Sequence, residues 1–156
     1  MKNSDIPIPD VYKSALKHVV NTDLHQFFDS TILNIKELKR LANELSKWNL
    51  KITHPQTLKL AAGERIFYEI QKLEYIGVPE SQVQSLVEIL ETVEKMDLDL
   101  DIWKSQNYYY SLSKRFRNQE LAFVSEAWKK AFLRLGELLN FRPSVFEKVG
   151  AHSVKV

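Results

Sequence analysis

The sequence contains no cysteine. That absence removes a disulfide scaffold, a thiolate metal site and a cysteine nucleophile from consideration. Glycine is nearly as scarce, with four in 156 residues, and the five prolines fall where periodic segments begin or end rather than inside them. Runs of alternating apolar and polar residues are hard to find. Few breakers and no period of two predict an all-α fold. Charge of one sign is also in short supply: 22 Lys and Arg stand against 20 Asp and Glu, a net charge of +2. Such a balance argues against a nucleic-acid-binding surface. The densest basic cluster, Lys114, Arg115 and Arg117, reads as the last turn of a helix, where cations suit the dipole. The opening MKNSDIPIPD has no apolar run behind its lysine, and nowhere do about twenty apolar residues follow one another, so neither a secretory signal nor a membrane span is expected. These readings point to a cytoplasmic protein that engages neither membrane nor nucleic acid.

What is present is a helical period, carried by a 44% hydrophobic content that suits one domain with a sizeable core. Residues 1–9, with Pro7 and Pro9, read as an extended lead or linker. Asp10 is placed to cap a short helix from Val11 to Val20, with Val11, Ala15, Leu16 and Val19 on one side. Asn21, Thr22 and Asp23 are expected to break it before a second short helix around Leu24, Phe27 and Phe28, and Asp29, Ser30 and Thr31 offer the next cap. Ile35, Leu38, Leu41, Leu45 and Trp48 then recur at steps of three or four opposite Lys36, Lys39, Arg40, Glu44 and Lys47, an amphipathic helix. Pro55 opens a helix with Leu58, Ala62, Ile66, Ile70 and Leu73 in one stripe, stopped by Gly77 and Pro79. Val83, Leu86, Val87, Leu90 and Val93 define the next. A helix containing Trp103 runs to about Arg117. After Asn118 the last long helix carries Leu121, Val124, Trp128, Ala131, Leu135, Leu138 and Leu139. The sum is an antiparallel bundle of five long and two short helices over residues 10–142, with a loosely ordered tail at 143–156.

Chemistry is sparse. His18, His25, His54 and His152 form no helical ligand motif with another histidine or an acid. Asp97, Asp99 and Asp101 alternate as in a calcium loop, but the sixth and twelfth positions counted from Asp97 are Ile102 and Tyr108 rather than glycine and glutamate. There is no glycine-rich phosphate loop and no nucleophile elbow, so no cofactor, metal or catalytic residue is expected. The informative stretch is DLDLDIWKSQNYYY, residues 97–110. Its acids can cap a helix, and Trp103, Asn107 and Tyr110 follow at helical spacing. A carboxamide in an aromatic stripe predicts either a buried, hydrogen-bonded amide pinning the core or a place where a ligand or partner is gripped. Tyr108, Tyr109 and Tyr110 together cover about 200° of helix surface, so at least one faces outward. Trp103, Gln106, Asn107, Tyr108, Tyr109 and Tyr110 are therefore the candidate interface or ligand groove.

The segment MDLDLDIWKSQNYYYSL resembles the W-x-x-Q-N helix of a helical domain of unknown function that follows the catalytic domain in proteins related to glycoside hydrolase family 57, the α-amylase and α-mannosidase-like group. The proline-led VYKSALKHVVNTDL looks like the start of the same region. The resemblance covers roughly Ile8 to Phe141, and its sharp motif is Trp103, Gln106 and Asn107. It implies a non-catalytic accessory domain packed against, or shaping the groove of, a carbohydrate-active catalytic domain. Catalysis in that family uses carboxylates on a distorted barrel for which these residues leave no room, so no catalytic residue is transferred. A different class of reading also stands: a free-standing helical interaction module, with a homodimer formed through the aromatic helix.

Overall fold

The computed structural model describes residues 9–74, 78–117 and 125–140. Six helices account for nearly all of them, and among the described residues there is no strand: α1 (Asp10–Asp29), α2 (Ile35–Lys47), α3 (Pro55–Gln71, continued by a 3₁₀ turn at Lys72–Glu74), α4 (Glu80–Lys95), α5 (Trp103–Arg117) and α6 (Glu126–Leu138). None is long and apolar enough to cross a membrane. The residues expected at Gly77, at the start of the last helix and in the tail lie outside the described residues. The chain groups into two compact units, Met1–Arg65 with Thr92–Leu100, and Ile66–Glu91 with Asp101–Val156.

In the first unit the two short helices expected before residue 29 are one continuous helix of 20 residues. The break predicted at Asn21 to Asp23 does not occur, because those polar side chains find partners that the sequence does not place beside them. Asn21 is buried and its amide donates to the Lys17 carbonyl one turn back and to the Lys51 carbonyl on the α2–α3 connection. Asp23 meets Arg40 at 3.6 Å. Asp10 is the first helical residue rather than the cap, and Pro9 occupies the N-cap without a side-chain hydrogen bond.

The buried face of α1 is Val20, Leu24, Phe27 and Phe28, the last two edge to face at 4.9 Å. Val11, Ala15 and Val19, expected on a shared face, are exposed, and Leu16 is half-buried. Helix phase explains the difference: at about 100° per residue Val11, Ala15 and Val19 lie roughly 100–180° round α1 from the buried Val20, whereas Leu16 lies only about 40° away.

Leu38, Leu41 and Leu45 of α2 are buried as their period predicts. The cap is Asn34, whose Oδ1 accepts from the Lys36 and Glu37 amides, rather than Asp29, Ser30 or Thr31. The C-terminus of α1 has no basic residue of its own, and Arg65 of α3 supplies one by donating to the carbonyls of Phe28, Ser30 and Thr31. Helix α2 ends in a Schellman turn. Leu50 N–H bonds Leu45 O at 2.9 Å and Asn49 takes the left-handed position at φ 52°. Helix α4 ends the same way, with Leu98 N–H on Val93 O and Asp97 at φ 61°. Asp97 is thus a helix terminator, a role asparagine and aspartate fill when glycine is absent.

The second unit is built on stacked rings. Trp128 and Phe132 of α6 lie 5.1 Å apart and nearly parallel, and Phe132 stacks in turn on Tyr109 of α5 at 4.5 Å. Ile66, Ile70, Leu73, Val83, Leu86, Val87 and Leu90 are buried, as the periods of α3 and α4 require. Ser125 caps α6 by accepting from Trp128 N–H. Arg134 bridges Glu91 and Glu137 at 3.0 and 2.8 Å on the surface.

Candidate functional site on helix α5

The aspartate-rich lead starts this helix as expected, with Asp101 Oδ1 accepting from the Trp103 amide at 3.3 Å. From there the six candidate residues divide by face. Tyr109 is fully buried and its hydroxyl donates to the Phe132 carbonyl at 2.6 Å. Burial holds its phenol well above the ordinary tyrosine range, while the nearby Gly136 backbone offsets part of that rise. Tyr108 is half-buried and meets Phe67 of α3 edge to face at 6.1 Å. Gln106, also half-buried, donates from Nε2 to the Leu139 carbonyl at 2.8 Å, closing the C-terminus of α6. These three residues therefore serve packing.

The remaining three face outward. Trp103 is 67% exposed, Tyr110 is 43% exposed, and Asn107 is exposed between them. Of the two readings of the Asn107 amide, the buried pin is thus corrected. The sequence places a carboxamide at two adjacent positions, and the helix turns Gln106 inward toward α6 and Asn107 outward. Lys114 extends the same line, its ammonium 4.7 Å above the Tyr110 ring. Residues 103, 107, 110 and 114 fall on one stripe of α5. Its two rings are separated by seven residues, about 10 Å of helix rise. The stripe offers two aromatic faces, one amide able to donate and accept, and one cation.

Stability separates the two amides. Gln106→Ala is expected to cost about 1 kcal/mol, the usual net worth of a part-buried hydrogen bond, whereas Asn107→Ala should change stability by less than about 0.5 kcal/mol. Urea melts of the two variants measure this directly. A larger loss from Asn107→Ala would place that amide inside.

Among the described residues no group of three His, Asp or Glu side chains is arranged to hold a metal ion. Sequence reasoning missed the amide that does pin a core, Asn21, because its partners at Lys51 and Thr53 lie 30 and 32 residues away. It also missed Phe132, fully buried at the centre of the ring stack but off the stripe chosen for α6. Comparison of the chain with protein-family models, with curated proteins and with solved structures returns no match.

Proposed function

We propose that this chain is a non-catalytic helical recognition module of the kind that accompanies a carbohydrate-active catalytic domain, with the outer stripe of α5 as its contact surface. The observation that carries the reading is the shared exposure of Trp103, Asn107 and Tyr110. A solvent-facing tryptophan and tyrosine give flat apolar faces suited to the C–H face of a sugar ring, and an amide between them can bond hydroxyls in either sense. The resemblance of the 96–112 segment to the helical region beside family 57 catalytic domains supplies the substrate class, and it rests on the same Trp103 and Asn107.

Titration with maltooligosaccharides, followed by tryptophan fluorescence, tests this. Trp128 is buried and Trp48 half-buried, so Trp103 dominates any solvent-sensitive response. A saturable change is expected, and Trp103→Ala should abolish it. A flat response from the parent chain would remove the sugar-binding version.

One observation favours a second reading. Val11, Tyr12 and Val19 leave the first turns of α1 with an apolar outer face, 73%, 66% and 52% exposed, which suits a helix packing against another chain. Under this reading the protein is an interaction or self-association module with no carbohydrate role. Light scattering at two concentrations decides it, since a strict monomer leaves self-association without support.

A further inference from the structure

The first unit holds a cleft of about 520 Å³ where the ends of α2 and α4 meet the start of α3. Its floor is aliphatic, formed by Leu45, Leu50, Ile52 and Leu98. Around it stand Lys51, Lys59 and Lys95, against a single acid among the described residues, Asp97. Among the described residues none of these three ammoniums makes an ion pair or hydrogen bond. Lys95 is the last residue of α4 and Lys51 follows the end of α2, positions where a cation is locally favourable. Lys59 does not fit that account. It lies near the start of α3, a helix with no acid in its first turn, so it adds positive charge to an end that is already positive. Three unpaired cations over an apolar floor attract an anion and focus its field in the low-dielectric wall.

The cleft is also rigidly framed. Asn49 and Asp97 line it in left-handed conformations, and His54 in the same region immediately precedes the lining Pro55; these are three of the four such non-glycine residues among those described. Each of the two linings is locked by a Schellman turn. The connection carrying Lys51 and Ile52 is clamped from behind by Asn21, which donates to Lys51 O and accepts from Thr53 N–H at 2.7 Å. A preformed cleft of this size, lined by aliphatic and charged side chains together, can seat a small molecule with an apolar body and a charged head.

We propose that this cleft binds a small amphiphilic anion: an aliphatic body seated on Leu45, Leu50, Ile52 and Leu98, with one carboxylate or phosphate head held by Lys51, Lys59 and Lys95. Among the described residues no aromatic side chain lines the cleft, so they offer nothing for a nucleobase to stack on and suit an alkyl chain instead. The site lies apart in sequence from the α5 stripe and does not depend on the sugar reading.

The test uses the full ¹⁵N-labelled chain, titrated separately with decanoate, decyl phosphate and decanol below their aggregation limits. The amides of Leu50 to Ile52 and Met96 to Leu98 should shift saturably with the two anions. The head group that binds more tightly identifies whether the natural ligand is an acid or a phosphate ester. In a Lys51→Gln, Lys59→Gln, Lys95→Gln triple variant, shown folded by circular dichroism, affinity for either anion should fall roughly tenfold or more. Equal binding of decanol, or an unchanged affinity in the triple variant, overturns the proposal. So does the absence of any localised shift.

Discussion

Gly136→Ala is expected to destabilise the protein, against the ordinary trend for a glycine inside a helix. Alanine there normally gains about 1 kcal/mol through helix propensity. Here the new methyl would stand 2.5 Å from the Tyr109 hydroxyl and 2.9 Å from its Cζ, closer than any van der Waals contact allows. The ring cannot withdraw cheaply, because Tyr109 is fully buried and stacked on Phe132. Its hydroxyl also holds the Phe132 carbonyl at 2.6 Å, one turn before Gly136 on α6. Overpacking of this kind costs about 1–3 kcal/mol, and displacing the hydroxyl adds roughly 1–3 kcal/mol for the buried group left unpaired. The net loss should therefore be about 1–5 kcal/mol after the propensity gain is deducted. A double-mutant cycle isolates the cause. In a Tyr109→Leu background the obstructing ring is gone, and Gly136→Ala should become neutral or stabilising. Strict additivity in urea melts would show that the alanine fails for some other reason.

The same burial gives the unit an alkaline limit. Because the folded phenol titrates above its unfolded value of about 10, the Tyr109 contribution is fully present below pH 10. It is lost as pH rises beyond that, since the unfolded chain releases a proton that the folded one keeps.

Most of the helical register was legible from spacing. The stripes of α2, α3 and α4 are buried where their three-and-four steps place them, because an apolar face with one side to hide has few ways to be satisfied. The face of α1 and the place of Phe132 were misread among the apolar residues, and the other errors are polar. Asn21, Thr22 and Asp23 carry poor helix propensity and read as a break, yet a long-range partner for Asn21 and an ion pair for Asp23 keep α1 whole. Asn107 and Gln106 are adjacent amides, and which one turns inward depends on where α6 ends, at Leu139, 33 residues on. Local pattern does not encode that distance. The exposed stripe of α5 was readable only as a statement that three consecutive tyrosines cannot share one side. The lysine cleft was not readable at all, since Lys51, Lys59 and Lys95 are brought together by helix ends rather than by a motif.

Asn21 carries the other large effect. Its amide makes three hydrogen bonds from a nearly sealed position: Nδ2 to Lys17 O at 2.8 Å and Lys51 O at 3.1 Å, and Oδ1 from Thr53 N–H at 2.7 Å. Asn21→Ala removes all three. The Lys17 carbonyl keeps its helical partner, but the Lys51 carbonyl and Thr53 amide belong to a connection with no helix to fall back on. Each loses its partner at about 1–3 kcal/mol, so a loss of roughly 2–6 kcal/mol is expected. Asn21→Asp is the sharper probe. The carboxylate still accepts from Thr53 N–H, but it has no N–H to give and sets a negative charge against two carbonyl oxygens. Its folded pKa should therefore lie above the unfolded value of about 3.9. By linkage that variant is least handicapped below pH 4, where the acid is protonated and one donor returns, and loses stability as pH rises through and above that value. Most folds weaken in acid; this variant should narrow or reverse its gap to the parent chain there. Thermal melts of parent and variant between pH 3 and pH 7 give the answer, and a gap that stays constant over that range would mean that the amide's donors do not hold the connection in place.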